Sequence, residues 1–445
     1  MRTRQALTSL ATVAAVLAVA TGCASSAQPT ITGQQDTYWQ TANQPVAGQP
    51  WIVGLGDSYI SGEAGRWASN GKDNAQYFGD GGWFVGTADQ VYGDSPDGTE
   101  SIPYCHRTAT AAMFVGTGWN SKNLACSGAE TTSDIGDHNR LKPGIDFVDT
   151  LTPWGQMTGQ ALQLQEFAKD HDVKVVALSI GGNNLGFANI IQTCVEDWLM
   201  PFKTSLCSNS EKIDAMVNTV TQQTIGTAIA TAIANINTAM TNAGKSPDSW
   251  RLVYQLPPSP VPTSDDIQYP DSGFSREFTG GCPMHDADLD WANHVLIPFL
   301  YSATQLGVEQ AQKANPKIAP ITLEDASQAL DGHRLCETGT ERPSAETGIP
   351  PNEFSQSVEW VRMLSLLVAE KYPASENYPE AMHPTFFAQR ALAACLQAAI
   401  NAPRDTPGIA CSQPQQADFQ TPDPSRPPVQ ANLVTKVITP DFYKQ

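Results

Sequence analysis

The run Val173-Lys174-Val175-Val176-Ala177-Leu178-Ser179-Ile180 is almost unbroken in apolar and β-branched residues. That is the pattern of a central parallel strand covered on both faces; a strand with one wet face would alternate. Four more short apolar runs accompany it: Trp51 to Leu55, Asn123 to Cys126, Arg251 to Leu256, and Ile318 to Leu323. Between them lie stretches with helical spacing. Gly159 to Asp170 places Ala161, Leu162, Leu164, Phe167 and Ala168 on one side, and the Ala- and Ile-rich segment from Glu211 to Ala243 reads as one bent helix or two. Strands alternating with helices predict an α/β fold, a doubly wound sandwich of three layers (α/β/α) around a five-stranded parallel sheet. Ligands of such sheets bind beyond the carboxyl ends of the strands.

The termini do not belong to that core. Residues 1–22 read as an export signal, with Arg2 and Arg4 ahead of the apolar stretch Ala11 to Ala20, which is too short to span a bilayer comfortably. Ala20-Thr21-Gly22-Cys23 resembles a bacterial lipobox, which implies acylation of Cys23 and membrane attachment through its acyl chains; a plain secretory signal is the alternative. Residues 23–49 are a polar, flexible tether, residues 50–412 the folded domain, and residues 413–445 a Pro-rich tail expected to be extended or disordered.

The chain holds nine cysteines, and setting Cys23 aside for lipid leaves an even set. Export exposes these thiols to oxidising conditions. Their close spacings favour nearest-neighbour pairs, Cys105 with Cys126, Cys194 with Cys207, Cys282 with Cys336 and Cys395 with Cys411, although sequence alone does not determine connectivity. A formal charge of −19 opposes nucleic-acid binding, because no basic run is present to neutralise phosphates.

The chemistry concentrates in four blocks. Gly56-Asp57-Ser58-Tyr59 follows the first apolar run; Cys126-Ser127-Gly128-Ala129 follows the second; Gly181-Gly182-Asn183-Asn184 follows the Val173 strand; His383-Pro384 lies near the C-terminus. A serine hydroxyl is a weak nucleophile until a base takes its proton and fixed donors hold the oxyanion. Ser58 at a strand end can project its hydroxyl from the sheet edge, Gly128 lets backbone approach a substrate oxygen without a Cβ, Asn183 offers an amide, and His383 is a base.

In these blocks the chain resembles the SGNH hydrolases, the GDSL-type esterases and lipases, and within them the disulfide-bonded secreted lipases of actinobacteria. The resemblance runs from Ser58 to His383 and is supported by Tyr104-Cys105-His106-Arg107 and Gly332-His333-Arg334-Leu335-Cys336. It implies a flavodoxin-like sheet, nucleophile Ser58, base His383, and an oxyanion hole of Ser58, Gly128 and Asn183. One position departs from the family pattern: many members carry Asp three residues before the histidine, where this chain has Glu380. Orientation of His383 by the Glu380 carboxylate or by the Glu380 main-chain carbonyl are both open.

The implied activity is hydrolysis of carboxylic esters outside the cytoplasm through an acyl-serine intermediate, by a monomer. The alternatives are a carbohydrate deacetylase or transacylase acting on envelope glycans, and a catalytically silent envelope-binding lipoprotein. Other polar residues have plainer readings. Asp57 supports the turn, Asn184 stabilises its loop, and His106, His138, His171, His285, His294 and His333 are structural or exposed. Asp286, Asp288 and Asp290 lack the glycine and closing glutamate of a calcium loop and read as a solvated acidic loop. No metal and no cofactor is expected.

Overall fold

A computed structural model describes residues 44–71, 82–84, 91–95, 99–116, 118–200, 205–342, 357–364, 379–412 and 434–437. The export signal, Cys23 and most of the tether lie outside these residues. The sheet has seven strands: β1 (Trp51–Gly56), β2 (Asn120–Asn123), β3 (Val173–Ser179), β4 (Arg251–Leu256), β5 (Ile321–Gln328), β6 (Gly408–Ser412) and β7 (Val434–Val437). Their order is β7-β6-β5-β4-β3-β1-β2. All neighbours run parallel except β7, which pairs antiparallel with β6.

The sheet therefore has six parallel strands, one more than the five expected, plus an antiparallel edge. The extra parallel strand, Gly-Ile-Ala-Cys-Ser, has a single β-branched residue and no length to announce itself. β7 falls inside the segment expected to be an extended tail; its Val-Thr-Lys-Val sequence has the β-branched character that allows it to cap the β6 edge. β2 also sits further upstream than expected, ending at Asn123 where the apolar run begins.

One face of the sheet is covered by α2 (Gln160–Asp170), α5 (Thr219–Asn242) and α6 (Ile297–Ala314), whose Ala161, Leu164, Ile229, Ile233, Leu300 and Ala303 pack on Val53, Val176 and Leu178. The other face is covered by α7 (Phe386–Asn401), whose Leu392, Cys395 and Leu396 meet Ile52, Val175, Ala177 and Val253. The segment Glu211 to Ala243 resolves into two helices, α4 (Glu211–Met216) and α5, because Asn218 stops one and caps the next by accepting from the N–H groups of Val220 and Thr221, both at 3.0 Å. Disulfides join Cys105 to Cys126, Cys194 to Cys207, Cys282 to Cys336 and Cys395 to Cys411.

Strand order reverses beside β1. The chain steps outward from β1 to β2 and then returns to lay β3 on the other flank, so the loops after β1 and β3 diverge and leave a crevice at the carboxyl end of the sheet. Both the Ser58 turn and the Asn183 turn leave the sheet there.

Candidate active site

Gly56 ends β1 with φ 131°, and a Cβ at this position would come 1.8 Å from the Ser179 carbonyl oxygen on β3. Only glycine fits, and the chain turns sharply into the one-turn helix α1 (Ser58–Ser61). Asp57 caps that turn by accepting from the Tyr59 N–H at 3.2 Å, and its own N–H donates to Ser179 at 2.9 Å. Burial raises the Asp57 carboxyl from 3.8 to about 7, with the Tyr59 N–H opposing the rise. Its contacts are those of a turn residue.

The Ser58 hydroxyl lies 2.7 Å from His383 Nε2 across 325 residues of sequence. On the far side of the ring, Nδ1 is 2.9 Å from the carbonyl oxygen of Ala381. A carbonyl can only accept, so Nδ1 carries the proton and Nε2 presents its lone pair to the serine. Burial lowers the His383 pKa from 6.5, against partial opposition from the Glu63 charge, the Ala381 carbonyl and Glu380. The imidazole is thus neutral, and a base, near pH 7.

Glu380 does not orient His383, by its carboxylate or by its carbonyl. The carboxylate is buried and takes Arg66 Nε and Arg66 Nη2 (2.9 Å), Trp67 Nε1 (2.7 Å) and Tyr92 Oη (2.6 Å). Its carbonyl accepts the His383 main-chain N–H at 3.3 Å rather than the ring. The extra methylene of glutamate and the arginine clamp carry the carboxylate away from the imidazole, and the Ala381 carbonyl occupies the orienting place. Tyr59 completes the arrangement: its hydroxyl donates to the Met382 carbonyl at 3.1 Å, and its ring centroid is 5.3 Å from that of His383. Met382 itself is left-handed, φ 63°, which is costly for a residue with a Cβ and fixes the bend that presents the histidine.

Gly128 adopts φ 75° in the loop after β2. That loop is drawn toward the Ser58 turn by bonds from the Cys126 N–H to Gly56 (3.0 Å) and from the Ser127 N–H to Cys105 (3.0 Å). Asn183 lies in the short helix α3 (Gly182–Leu185) after β3, and its Nδ2 donates to the Ala129 carbonyl at 2.9 Å. That bond uses one of the two amide hydrogens and ties the Asn183 turn to the residue after Gly128. Asn184 reinforces the junction through Thr131, accepting from its N–H at 3.1 Å and donating to its hydroxyl at 3.0 Å.

Tyr59, Glu63, Arg66 and Ala381 carry no separate signal in the sequence, and Trp67 and Tyr92, aromatics of the Gly- and Asp-rich insertion after Glu63, anchor that insertion through Glu380. His106, expected to be structural or exposed, is buried with Nδ1 2.6 Å from Glu63. The Asp286 to Asp290 stretch is not a solvated loop. It starts a helix, and Asp288, fully buried, accepts from the N–H groups of Cys207 (3.3 Å) and Ser208 (3.0 Å).

The chain matches no protein-family model and no curated protein sequence. Among solved structures it is similar to an extracellular lipase from Streptomyces rimosus (15% identity, 79% of this chain and 99% of that one, TM-score 0.39). It is also similar to a phospholipase A1 from Streptomyces albidoflavus (18%, 79% and 99%, 0.36) and a carbohydrate acetylesterase from Sinorhizobium meliloti (10%, 67% and 93%, 0.27).

Proposed function

We propose that the chain is an SGNH-type serine hydrolase that cleaves carboxylic esters through an acyl-Ser58 intermediate. The observation that carries this reading is the relay from the Ser58 hydroxyl to His383 Nε2 at 2.7 Å, with the ring's other nitrogen held by Ala381 at 2.9 Å. A hydroxyl with no catalytic duty has no need of a buried, tautomer-locked imidazole aimed at it.

In the reaction, Ser58 Oγ attacks the ester carbonyl carbon while His383 Nε2 takes its proton. The oxyanion is received by the main-chain N–H groups of Ser58 and Gly128 and by the second amide hydrogen of Asn183. His383 then passes the proton to the departing alcohol, leaving acyl-Ser58. A water molecule, deprotonated by the same nitrogen, attacks the acyl group and restores the serine. The Ala381 carbonyl hydrogen-bonds the imidazolium directly, and the nearby charges of Glu63 and Glu380 also favour it.

Four disulfides support an extracytoplasmic location, since such bonds persist where the surroundings are oxidising. Among the described residues no helix is long and apolar enough to cross a membrane. Attachment through acylated Cys23 is the anchoring we propose, and a monomer the working form. The test of the activity is hydrolysis of short p-nitrophenyl esters together with mass spectrometry of a fluorophosphonate adduct. Turnover with a single adduct on Ser58 supports the reading. No turnover and no adduct overturns it in favour of a silent binding protein.

A further inference from the structure

The polar cluster behind the site is larger than the reaction just described requires. Glu63 lies at the end of the Ser58 turn and is fully buried. Its carboxylate pairs with His106 at 2.6 Å, and the Ser127 hydroxyl, one residue before Gly128, also helps to hold its charge. His106 follows Cys105, whose disulfide partner Cys126 begins the Gly128 loop. Tyr104 and His106 both stand in the left-handed region, at φ 65° and 50°, although neither is glycine. The Glu100 carboxylate maintains this bend by accepting both of their main-chain N–H groups, that of His106 at 2.7 Å. Lys142 closes the far side by donating to the carbonyls of Ser127 and Tyr104 (3.0 Å). Strained backbone held by a half-buried carboxylate, beside a buried ion pair and next to a catalytic loop, is costly to fold and is retained where geometry matters.

We propose that the Glu63–His106 ion pair is a positioning device that fixes the Gly128 loop against the Ser58 turn, so that the two main-chain donors of the oxyanion hole keep one geometry. The proposal rests on the ester-hydrolase reading of the site. Neither residue touches substrate; His106 acts through the loop, whereas Glu63 acts through the loop and also through its charge on His383, so His106→Gln is the variant that isolates the loop. Loss of the pair leaves the substrate bound as before but loosens a hole that matters only once the oxyanion forms, so the effect belongs in kcat.

The charged and titratable groups facing His106 are Glu63 from the Ser58 segment, Glu100 from its own loop, Tyr92 stacked on its ring at 4.4 Å, and Glu380 further off. Glu63 in turn faces His383 and Lys142. Burial alone would lower the His106 pKa, but Glu63, with Glu100 and Glu380 adding to it, reverses this and the pKa is raised above 6.5. Burial alone would raise the Glu63 carboxyl, but His106 and its other partners bring it down to about 2. The two shifts together favour the charged pair, which is broken as pH rises and His106 loses its proton.

The test compares wild type with His106→Gln, Glu63→Gln and the double variant on a p-nitrophenyl ester, following kcat, KM and the denaturation midpoint. The expected result is a fall in kcat of about tenfold to hundredfold in each single variant, smaller than the ~10²–10³ for deleting a donor outright. KM should stay within about twofold, and the double variant should be no worse than the poorer single. The part of the alkaline decline of kcat that is owed to His106 should vanish in His106→Gln. Lys142, pushed down to about 8 by burial, is a second group whose loss of charge can contribute to an alkaline limb, so the limb that survives in Lys142→Met is the one owed to His106. Variants with wild-type kcat and pH profile, whatever their stability, overturn the proposal; so does a rise in KM with kcat unchanged. A wild-type protein that hydrolyses no ester fails the reading of the site and this inference with it, whereas an active wild type with unaltered variants fails the inference alone.

Discussion

The Nδ1 of His383 is held at 2.9 Å by the Ala381 carbonyl, while the carboxylate of Glu380, one residue earlier in the chain, is turned away into a clamp of Arg66, Trp67 and Tyr92. In the proposed reaction, orientation of the base is thus a main-chain function, and the carboxylate has a different one. It pins the histidine loop to the segment that follows the Ser58 turn.

That division of labour separates two effects in Glu380→Gln. Where an aspartate holds a catalytic histidine, its amide replacement costs about 10⁴ in kcat by stabilising the wrong tautomer. Here the tautomer is set by Ala381, so kcat should fall by less than about tenfold. Stability should fall far more, by about 3–5 kcal/mol, because the buried Arg66 guanidinium loses the carboxylate that accepts from its Nε and Nη2. Urea unfolding beside steady-state kinetics checks both; a collapse of kcat in a stably folded variant would return the carboxylate to the catalytic machinery.

Ser58→Ala and His383→Ala should each reduce kcat by about 10⁴–10⁶, and the double variant should be no slower than the worse single, because the two atoms bonded at 2.7 Å act as one unit. Asn183→Ala should cost about 10²–10³ in kcat with little change in KM. Additive losses for the serine and histidine would show that they serve separate steps.

The acid limb of kcat/KM follows from the burial of His383, which lowers its pKa from 6.5. The neutral form is the base, so activity persists below pH 6.5 and disappears as pH falls through the lowered value. Activity measured from pH 4 to 8 on a neutral ester checks this, and a midpoint above 6.5 would contradict it.

What the sequence shows plainly is what side chains or strand composition mark. Ser58, Gly128 and Asn183 each follow a recognisable strand, and the sheet places those strand ends side by side. The orienting group escaped because a carbonyl has no signature: any residue could stand at 381, and the nearby glutamate drew attention instead. His106 escaped for another reason. A lone histidine takes its meaning from Glu63, 43 residues away, and that pairing exists only after the Cys105–Cys126 loop is folded. The sixth parallel strand, β6, was hidden by Gly, Ala, Cys and Ser, whose small side chains fit beneath α7 but carry little strand preference.

A second histidine gives stability its own pH dependence. His333 is buried with its ring stacked on Trp360 at 3.6 Å and Nδ1 2.9 Å from the Val358 carbonyl. Burial lowers its pKa from 6.5 to about 4, only partly opposed by that carbonyl. The unfolded chain therefore takes up the proton first as pH falls. Its contribution is fully present above pH 6.5 and is lost between there and about pH 4, a change of about 3 kcal/mol against the folded state. His333→Gln keeps a donor for Val358 but cannot become charged. The stability difference between wild type and this variant, from urea unfolding, should shrink by about 3 kcal/mol between pH 7 and pH 4. A difference that stays constant across that range would mean that the His333 imidazole is protonated as readily in the folded protein as in the unfolded chain.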